Sequence, residues 1–257
     1  MGGSKKPHFG IDAPDLVRAF LLAGMALASA SVGIFVFAPP VLGVWIGIIV
    51  LIPAVYALFM FALMIRGSLV DKVRDAEAIL DLHEWKGSEQ VLDVGCGRGL
   101  MLIGAARRLT TGRAVGVDVW SANDQSANVP DAPIENARLV GVSDRVVVET
   151  ADARHLPFED GSFDVVSSSW VVHNLEDAGD RLLALKEMVR VTRPSGTILL
   201  TDIVNRHEYV SAMKGMALED VRLVVLSPGR DRFLSAVSFG SFQPATVFAR
   251  RTDHEVG

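Results

Sequence analysis

Cysteine is nearly absent: the 257 residues contain one, Cys96. A single thiol excludes an intrachain disulfide framework and a cysteine-rich metal site, and no other constellation in the sequence is specific for a metal. Charge is missing from a long N-terminal stretch, with no Asp, Glu, Lys or Arg between Arg18 and Arg66. Positive charge is not in excess afterwards: residues 67–257 carry 21 Lys and Arg against 28 Asp and Glu, a net charge of −7. With no basic patch, a nucleic-acid partner is not expected.

The charge-free stretch reads as two apolar runs, Ala19 to Ala38 and Val41 to Ile65, joined by Pro39-Pro40. A bilayer-spanning helix needs about 20 apolar residues, and both runs qualify. Pro53 could kink the second. Lys5, Lys6 and Arg18 precede the pair, and Arg66, Lys72 and Arg74 follow it. Both flanks of a two-span hairpin lie on one side, which the positive-inside rule makes cytoplasmic. Two other readings stay open: a signal peptide cut near Ala28-Ser29-Ala30, and two buried helices of a soluble protein. Gly24, Ala28 and Ser31 form a small-residue face for the second helix or for a second protomer, giving a homodimer through the membrane helices.

The domains expected are therefore a cytoplasmic tail (1–18), a two-helix transmembrane hairpin (19–66) and a catalytic domain (67–257). The tail is expected to be disordered, then a short interfacial helix from Ala13. Gly67 to Leu82 reads as an amphipathic helix leaving the membrane, its stripe Val70, Val73, Ile79 and Leu82, with Asp71, Lys72, Arg74 and Asp75 in solvent.

The rest is organised around Val91-Leu92-Asp93-Val94-Gly95-Cys96-Gly97-Arg98-Gly99. A short apolar strand meets three alternate glycines, then Leu100 to Leu109 takes helical spacing. Strand, glycine turn and helix form the ligand-binding corner of a doubly wound α/β sheet. A dinucleotide fingerprint would place its third glycine at position 100, which is Leu, so a nicotinamide dehydrogenase is disfavoured. Cys96 reads as a small turn residue. Ala114 to Asp118 is a second strand ending in an acid 19 residues beyond Gly99, placed either to accept from both ribose hydroxyls of a nucleoside or simply to turn the strand end. Trp120 to Asn128 is a polar loop that either lines a pocket or is simply solvated. A helix from Ile134 to Val140, capped by Asp131, and a strand from Val146 to Glu149 come next. Asp152-Ala153 precedes Leu156-Pro157-Phe158, and Phe163 to Ser169 is a fourth strand. Trp170 to Leu175 sits at its C-terminal end, where open α/β sheets bind ligands. A helix capped by Asp180 runs to Val191, with Leu182, Leu185, Met188 and Val189 inward. Strand Thr197 to Asp202, helix Asn205 to Ala217, and strands Val221 to Leu226 and Thr246 to Arg250 complete the order. The last two are joined by Ser227 to Pro244.

From about residue 67 to 251 the chain resembles class I S-adenosylmethionine (SAM) methyltransferases of the small-molecule type. It is most similar to those of ubiquinone and menaquinone biosynthesis. Asp93 to Gly99, Asp118, Asp152 to Phe158, and Phe163 to His173 carry the resemblance. It implies an α/β, Rossmann-like seven-stranded sheet with helices on both faces and an antiparallel last hairpin, here preceded by the transmembrane hairpin. It implies SAM as methyl donor and S-adenosylhomocysteine (SAH) as product. Asp93, Gly95, Cys96, Gly97 and Gly99 would hold the methionine end, Asp118 with Val119 the ribose, and Asp152 with Ala153 the adenine; Ser169 is a further cofactor-binding candidate. Ser195 departs from the family's usual Pro-Gly-Gly in a turn. Arsenite methylation, which relies on several cysteines, is disfavoured. His173 is the candidate general base, or else a hydrogen-bonded pocket histidine. Trp120, Trp170, Asn174 and Tyr209 are candidate pocket residues. The function expected is a membrane-anchored methyltransferase acting on a small, lipophilic or lipid acceptor. The alternative is a non-catalytic SAM-binding membrane protein.

Overall fold

The computed structural model describes residues 6–121 and 124–253, so Lys5 of the tail and Ala122 and Asn123 of the polar loop lie outside the described residues. The chain divides into two compact units.

The first unit comprises residues 10–73 and 121–127. Helix α1 spans Pro14–Phe37 and α2 spans Pro40–Arg66. A proline opens each, where its missing N–H leaves no hydrogen bond unmade. Pro53 is accommodated inside α2. The helices meet at small residues. Gly24 faces Leu58, Gly47 faces Phe35, and Ser31 Oγ donates to Gly47 O at 2.9 Å. A Cβ on Gly24 would come within 2.7 Å of Leu58, so glycine permits this approach. The small-residue face therefore packs within the hairpin. No separate interfacial helix forms at Ala13: Pro14 begins one helix that continues through Phe37.

Two further expectations are corrected here. Residues 11 and 12 are not disordered: Ile11 N donates to Ser126 Oγ (2.8 Å), Ser126 N to Ile11 O (3.0 Å), and Asp12 bridges to Gln125. Lys72 is not solvated. Gly67–Asp71 forms a π-helical turn, whose extra residue rotates the facing of the next helical turns. Lys72 is thereby buried, its Nζ 2.9 Å from both Gly10 O and Asp12 Oδ1, while Val70 is exposed. Asp12 also accepts from Ser68 Oγ at 3.2 Å. These bonds draw together the chain entering α1 and the chain leaving α2.

In the second unit, α3 (Lys72–Leu80) buries Ala76, Ile79 and Leu80. The strands are β1 (Gln90–Val94), β2 (Arg113–Asp118), β3 (Val146–Thr150), β4 (Phe163–Ser169), β5 (Thr192–Asp202), β6 (Leu218–Val224) and β7 (Ala245–Arg251). Their order is β3-β2-β1-β4-β5-β7-β6, with β7 antiparallel to both neighbours and the other pairs parallel. Helices α4 (Leu100–Ala106), α5 (Asp131–Leu139), α6 (Ala178–Val191), α7 (Arg206–Lys214) and α8 (Pro228–Val237) surround the sheet. Successive strand residues point to opposite faces. Val91 joins a core with Leu80, Leu102 and Leu109; Leu92 and Val94 join another with Leu185, Met188 and Met213. A strand buried on both faces must be apolar throughout, as Val91, Leu92 and Val94 are.

Smaller differences have local causes. Asp177, not Asp180, caps α6, accepting from Gly179 N at 2.6 Å. Asp180 is drawn instead to Arg154. Leu182 lies on the outer side of α6. Asp131 is inside the first turn of α5 and makes no side-chain cap. Helix α8 falls within the Ser227 to Pro244 stretch, where the sequence suggests only a connection.

Candidate active site

The C-terminal ends of β3, β2, β1 and β4 lie side by side, about 4.8 Å apart per strand. Gly95, Gly97 and Gly99 all have positive φ (72°, 48° and 85°), a region that side chains disfavour. At Gly95 space also demands glycine: a Cβ would lie 2.2 Å from Val171. Gly95 N and Cys96 N both donate to Val117 O, fastening the turn to β2.

Asp93 is buried beneath this turn. Its carboxylate accepts from Leu102 N (3.0 Å) and Ser167 Oγ (2.9 Å), fixing α4 and β4 around the glycines. Burial pushes its pKa up to about 7, against those two hydrogen bonds. Burial likewise raises the pKa of the Cys96 thiol, an environment for an inert turn residue rather than a nucleophile.

Asp118 ends β2. Its Oδ2 accepts from Gly97 N (2.7 Å), and its Oδ1 from Trp120 N (2.6 Å) and Asn128 Nδ2 (3.2 Å). This acid therefore joins the glycine turn to the following loop. Each carboxylate oxygen has two acceptor sites, so one remains on Oδ2. A vicinal diol needs two, and the second requires Trp120 N or Asn128 to yield. Val119 is exposed beside it. Trp120 is held with φ 62° and its Nε1 donates to Thr150 Oγ1 at 2.8 Å.

Asp152 follows β3 beside half-buried Ala153. Arg154 pairs with both Asp152 (2.6 Å) and Asp180 (2.6 Å) and holds the Asp152 pKa below its ordinary value. The turn and the two acids thus line three adjacent strand ends. A turn whose backbone a ligand can approach and carboxylates that can accept from hydroxyl and amino groups are the kinds of group that suit SAM.

At the end of β4, Ser169 is half-buried and Trp170, with φ 60°, meets the Phe242 ring edge-on at 5.7 Å. His173 follows in the short helix Val172–Asn174. Its N donates to Asp202 Oδ2 (3.0 Å), and its Nδ1 lies 2.5 Å from Asp202 Oδ1. Ile203 N (2.8 Å) and Tyr209 OH (3.1 Å) complete four donors on Asp202, which is 1% exposed. A carboxylate only accepts, so Nδ1 carries a hydrogen; in the neutral imidazole Nε2 then keeps its lone pair, the arrangement a general base would need.

The other expected pocket residues divide. Asn174 is exposed on the same short helix. Tyr209 is fully buried and supports Asp202 from below, because α7 turns it into the core; it is no pocket residue. Burial, with Asp202 beside it, raises its pKa. Sequence reasoning misses Asp202, Asn128 and Arg154. An acid closing an apolar strand is a usable signal for Asp202, as it is for Asp118. Nothing in the sequence marks Asn128 or Arg154.

Comparison with known proteins agrees with this geometry. Residues 92–200 match a family profile described as methyltransferase domain. A methyltransferase, GfsG, of Streptomyces halstedii is 35% identical over 133 residues, 52% of this chain and 44% of that protein. The demethylmenaquinone methyltransferase of Staphylococcus aureus is 34% identical over 129 residues, 50% of this chain and 48% of its own length. The chain thus spans less than half the length of these relatives. Geranyl diphosphate C-methyltransferase of Streptomyces coelicolor A3(2), a structure with Mg²⁺, geranyl diphosphate and SAH, superposes with a TM-score of 0.58 at 20% identity, covering 75% of this chain and 84% of that one. The sheet has the class I methyltransferase fold, and the segment 92–200 is a SAM-dependent methyltransferase domain.

Proposed function

We propose that the whole protein is a membrane-anchored SAM-dependent methyltransferase that methylates a hydroxyl of a small lipophilic acceptor. The observation that carries the chemistry is His173 fixed by Asp202 at the end of β4, next to the glycine turn. Asp93 and the turn 95–99 would position the methionine end, Asp118 the ribose, and Asp152 the adenine. Bound there, SAM supplies a methyl group on a sulfonium, and the electron pair of the broken C–S bond stays on sulfur in SAH. The acceptor oxygen forms the new bond to the methyl carbon as His173 Nε2 receives its proton. Asp202 holds the imidazolium so formed. Holding the two reactants in line contributes much of the acceleration, and proton removal adds to it.

Anchoring is supported by α1 and α2, 24 and 27 residues long and each apolar enough to cross a bilayer. Large apolar side chains such as Phe37, Val41, Trp45 and Ile52 are exposed along them, as in a lipid-facing surface. The pairing of Asp12 with Lys72 sets both flanks at one end of the hairpin, in keeping with a cytoplasmic catalytic domain. A lipophilic acceptor gives such an anchor a use, and the Staphylococcus aureus relative is named for demethylmenaquinone. If two copies pair through these helices, they use a face other than Gly24 and Ser31; at Gly33 a Cβ would meet nothing within 4 Å.

Membranes containing the protein, incubated with SAM labelled in the methyl group, test this reading. Label should enter organic-soluble product and vanish with His173→Ala. Label confined to water-soluble products refutes the lipophilic acceptor. SAH binding without any transfer establishes the non-catalytic alternative.

A further inference from the structure

Beyond Asp202 the chain forms a cavity of about 420 Å³, lined by Ile203, Val204, Arg206, His207, Glu208 and Gln243 among others. That size suits a small organic ligand. Its place is fixed by the dyad. Asp202, which orients His173, also accepts from Ile203 N and from Tyr209 OH, so the first turn of α7 is tied to the base. Gln243 N donates to Ile203 O at 2.9 Å, closing the wall beside Phe242 and hence Trp170. The cavity therefore lies beside the residues that hold Asp202, the partner of His173.

Its charge is informative. Glu208 is neutralised by a two-pronged pair with Arg181, at 2.9 and 3.1 Å. Asp202 is occupied by its four donors. Arg206 is different: it is half-buried in the cavity wall, and its side chain makes no hydrogen bond or ion pair among the described residues. His207 stands next to it, also without a partner among the described residues. Other half-buried arginines of this domain are matched to acids, as Arg190 is with Glu187, Arg193 with Asp164 and Arg230 with Asp75, or to backbone carbonyls, as Arg251 is. A guanidinium left in a cavity with its five donors open fits a planar or tetrahedral oxyanion. Ile203 and Val204 supply an apolar wall for the rest of the molecule.

We propose that this cavity is the acceptor subsite and that Arg206, assisted by His207, binds a carboxylate or phosphate on the acceptor. The acceptor is then an amphiphile: a hydroxyl presented to His173, an apolar body, and one anionic group. The inference rests on the methyltransferase reading for the hydroxyl, but the anion site is testable without turnover.

The test titrates full-length protein in detergent with phenyl phosphate, benzoate and phenol, read by tryptophan fluorescence, for wild type and Arg206→Gln. SAH affinity is measured in parallel. Both aryl anions, or one of them, should bind wild type at least about tenfold more tightly than phenol, the scale of a charge-assisted hydrogen bond. Arg206→Gln should abolish that preference and leave SAH affinity unchanged. The arm that binds distinguishes phosphate from carboxylate. No preference for either anion over phenol, or the same preference in Arg206→Gln, overturns the proposal. Loss of SAH binding in wild type would instead overturn the cofactor reading, and the anion titration would still stand.

Discussion

Replacing Asp118 by alanine separates two jobs that its carboxylate performs. In the structure it accepts from Gly97 N, Trp120 N and Asn128 Nδ2. With SAH bound it should also accept from the ribose. One ribose hydrogen bond is gained outright and the second only in exchange for Trp120 N or Asn128, so a charged acceptor at roughly 1.5–3 kcal/mol per bond gives a loss of at least about 1.5 kcal/mol in binding, some 12-fold in Kd. At a SAH concentration about 100 times the wild-type Kd, wild type gains roughly 2.7 kcal/mol of stability, whereas the variant gains about 1.3 kcal/mol. For a domain of this size that is a rise in Tm of roughly 5–10 °C against about 3–5 °C. The apo variant should itself be less stable by about 2–4 kcal/mol, because three donors lose their acceptor and only some reach water. A thermal shift in detergent, with and without SAH, reads both effects. An equal SAH shift in wild type and Asp118→Ala refutes the ribose assignment, and leaves the carboxylate only the task of holding Gly97 and the Trp120 loop.

Asp202→Asn should lower kcat by about a hundredfold or more, since the amide can present its NH₂ to Nδ1 and favour the wrong tautomer; raising the pH should not restore the rate, and an unchanged rate excludes His173 as base. Asp93 gives stability a pH dependence: its native pKa of about 7 exceeds the ordinary 3.8, so the native state keeps a proton that the unfolded chain releases. Its contribution is best below about pH 4 and falls as pH rises to about 7, by roughly 4 kcal/mol in all. Denaturant titrations at several pH values should show Asp93→Asn gaining on wild type over that window; parallel curves would refute it. Asp12→Asn should cost about 2–3 kcal/mol by stranding the buried Lys72 ammonium, and adding Lys72→Met should recover part of it, as measured by unfolding midpoints.

The parts of the site legible in the sequence are those built from contiguous residues. A strand, three alternate glycines and a helix are neighbours along the chain, so their spacing alone dictates the turn. Strand-end acids such as Asp118 are legible for the same reason. The parts that escape depend on distant partners. His173 and Asp202 are 29 residues apart, and only the parallel pairing of β4 with β5 brings their ends together. Lys72 is misplaced by a helical wheel because the wheel assumes a constant period, and the π-turn at Gly67–Asp71 breaks it. Asp180 reads as a cap because an acid opens the helical pattern there, yet Asp177 stands at the helix boundary and Arg154 holds Asp180. Helix α8 escapes because its glycine, serine and proline content resembles a loop, and packing, not propensity, sustains it.

The acids of the proposed cofactor site already have partners within the protein. Trp120 N and Asn128 occupy Asp118, and Arg154 occupies Asp152. These internal donors keep buried or half-buried carboxylates from standing unpaired in the cleft, a condition that is costly in a low dielectric. If the ribose binds here, its diol would take the open acceptor of Asp118 first and the second only as Trp120 N or Asn128 withdraws. Trp120 is held at φ 62° in part by that bond, so releasing it relieves a conformation that costs a non-glycine residue about 1–2 kcal/mol. The relief would offset part of the broken hydrogen bond, and cofactor binding at Asp118 would then be coupled to a rearrangement at Trp120.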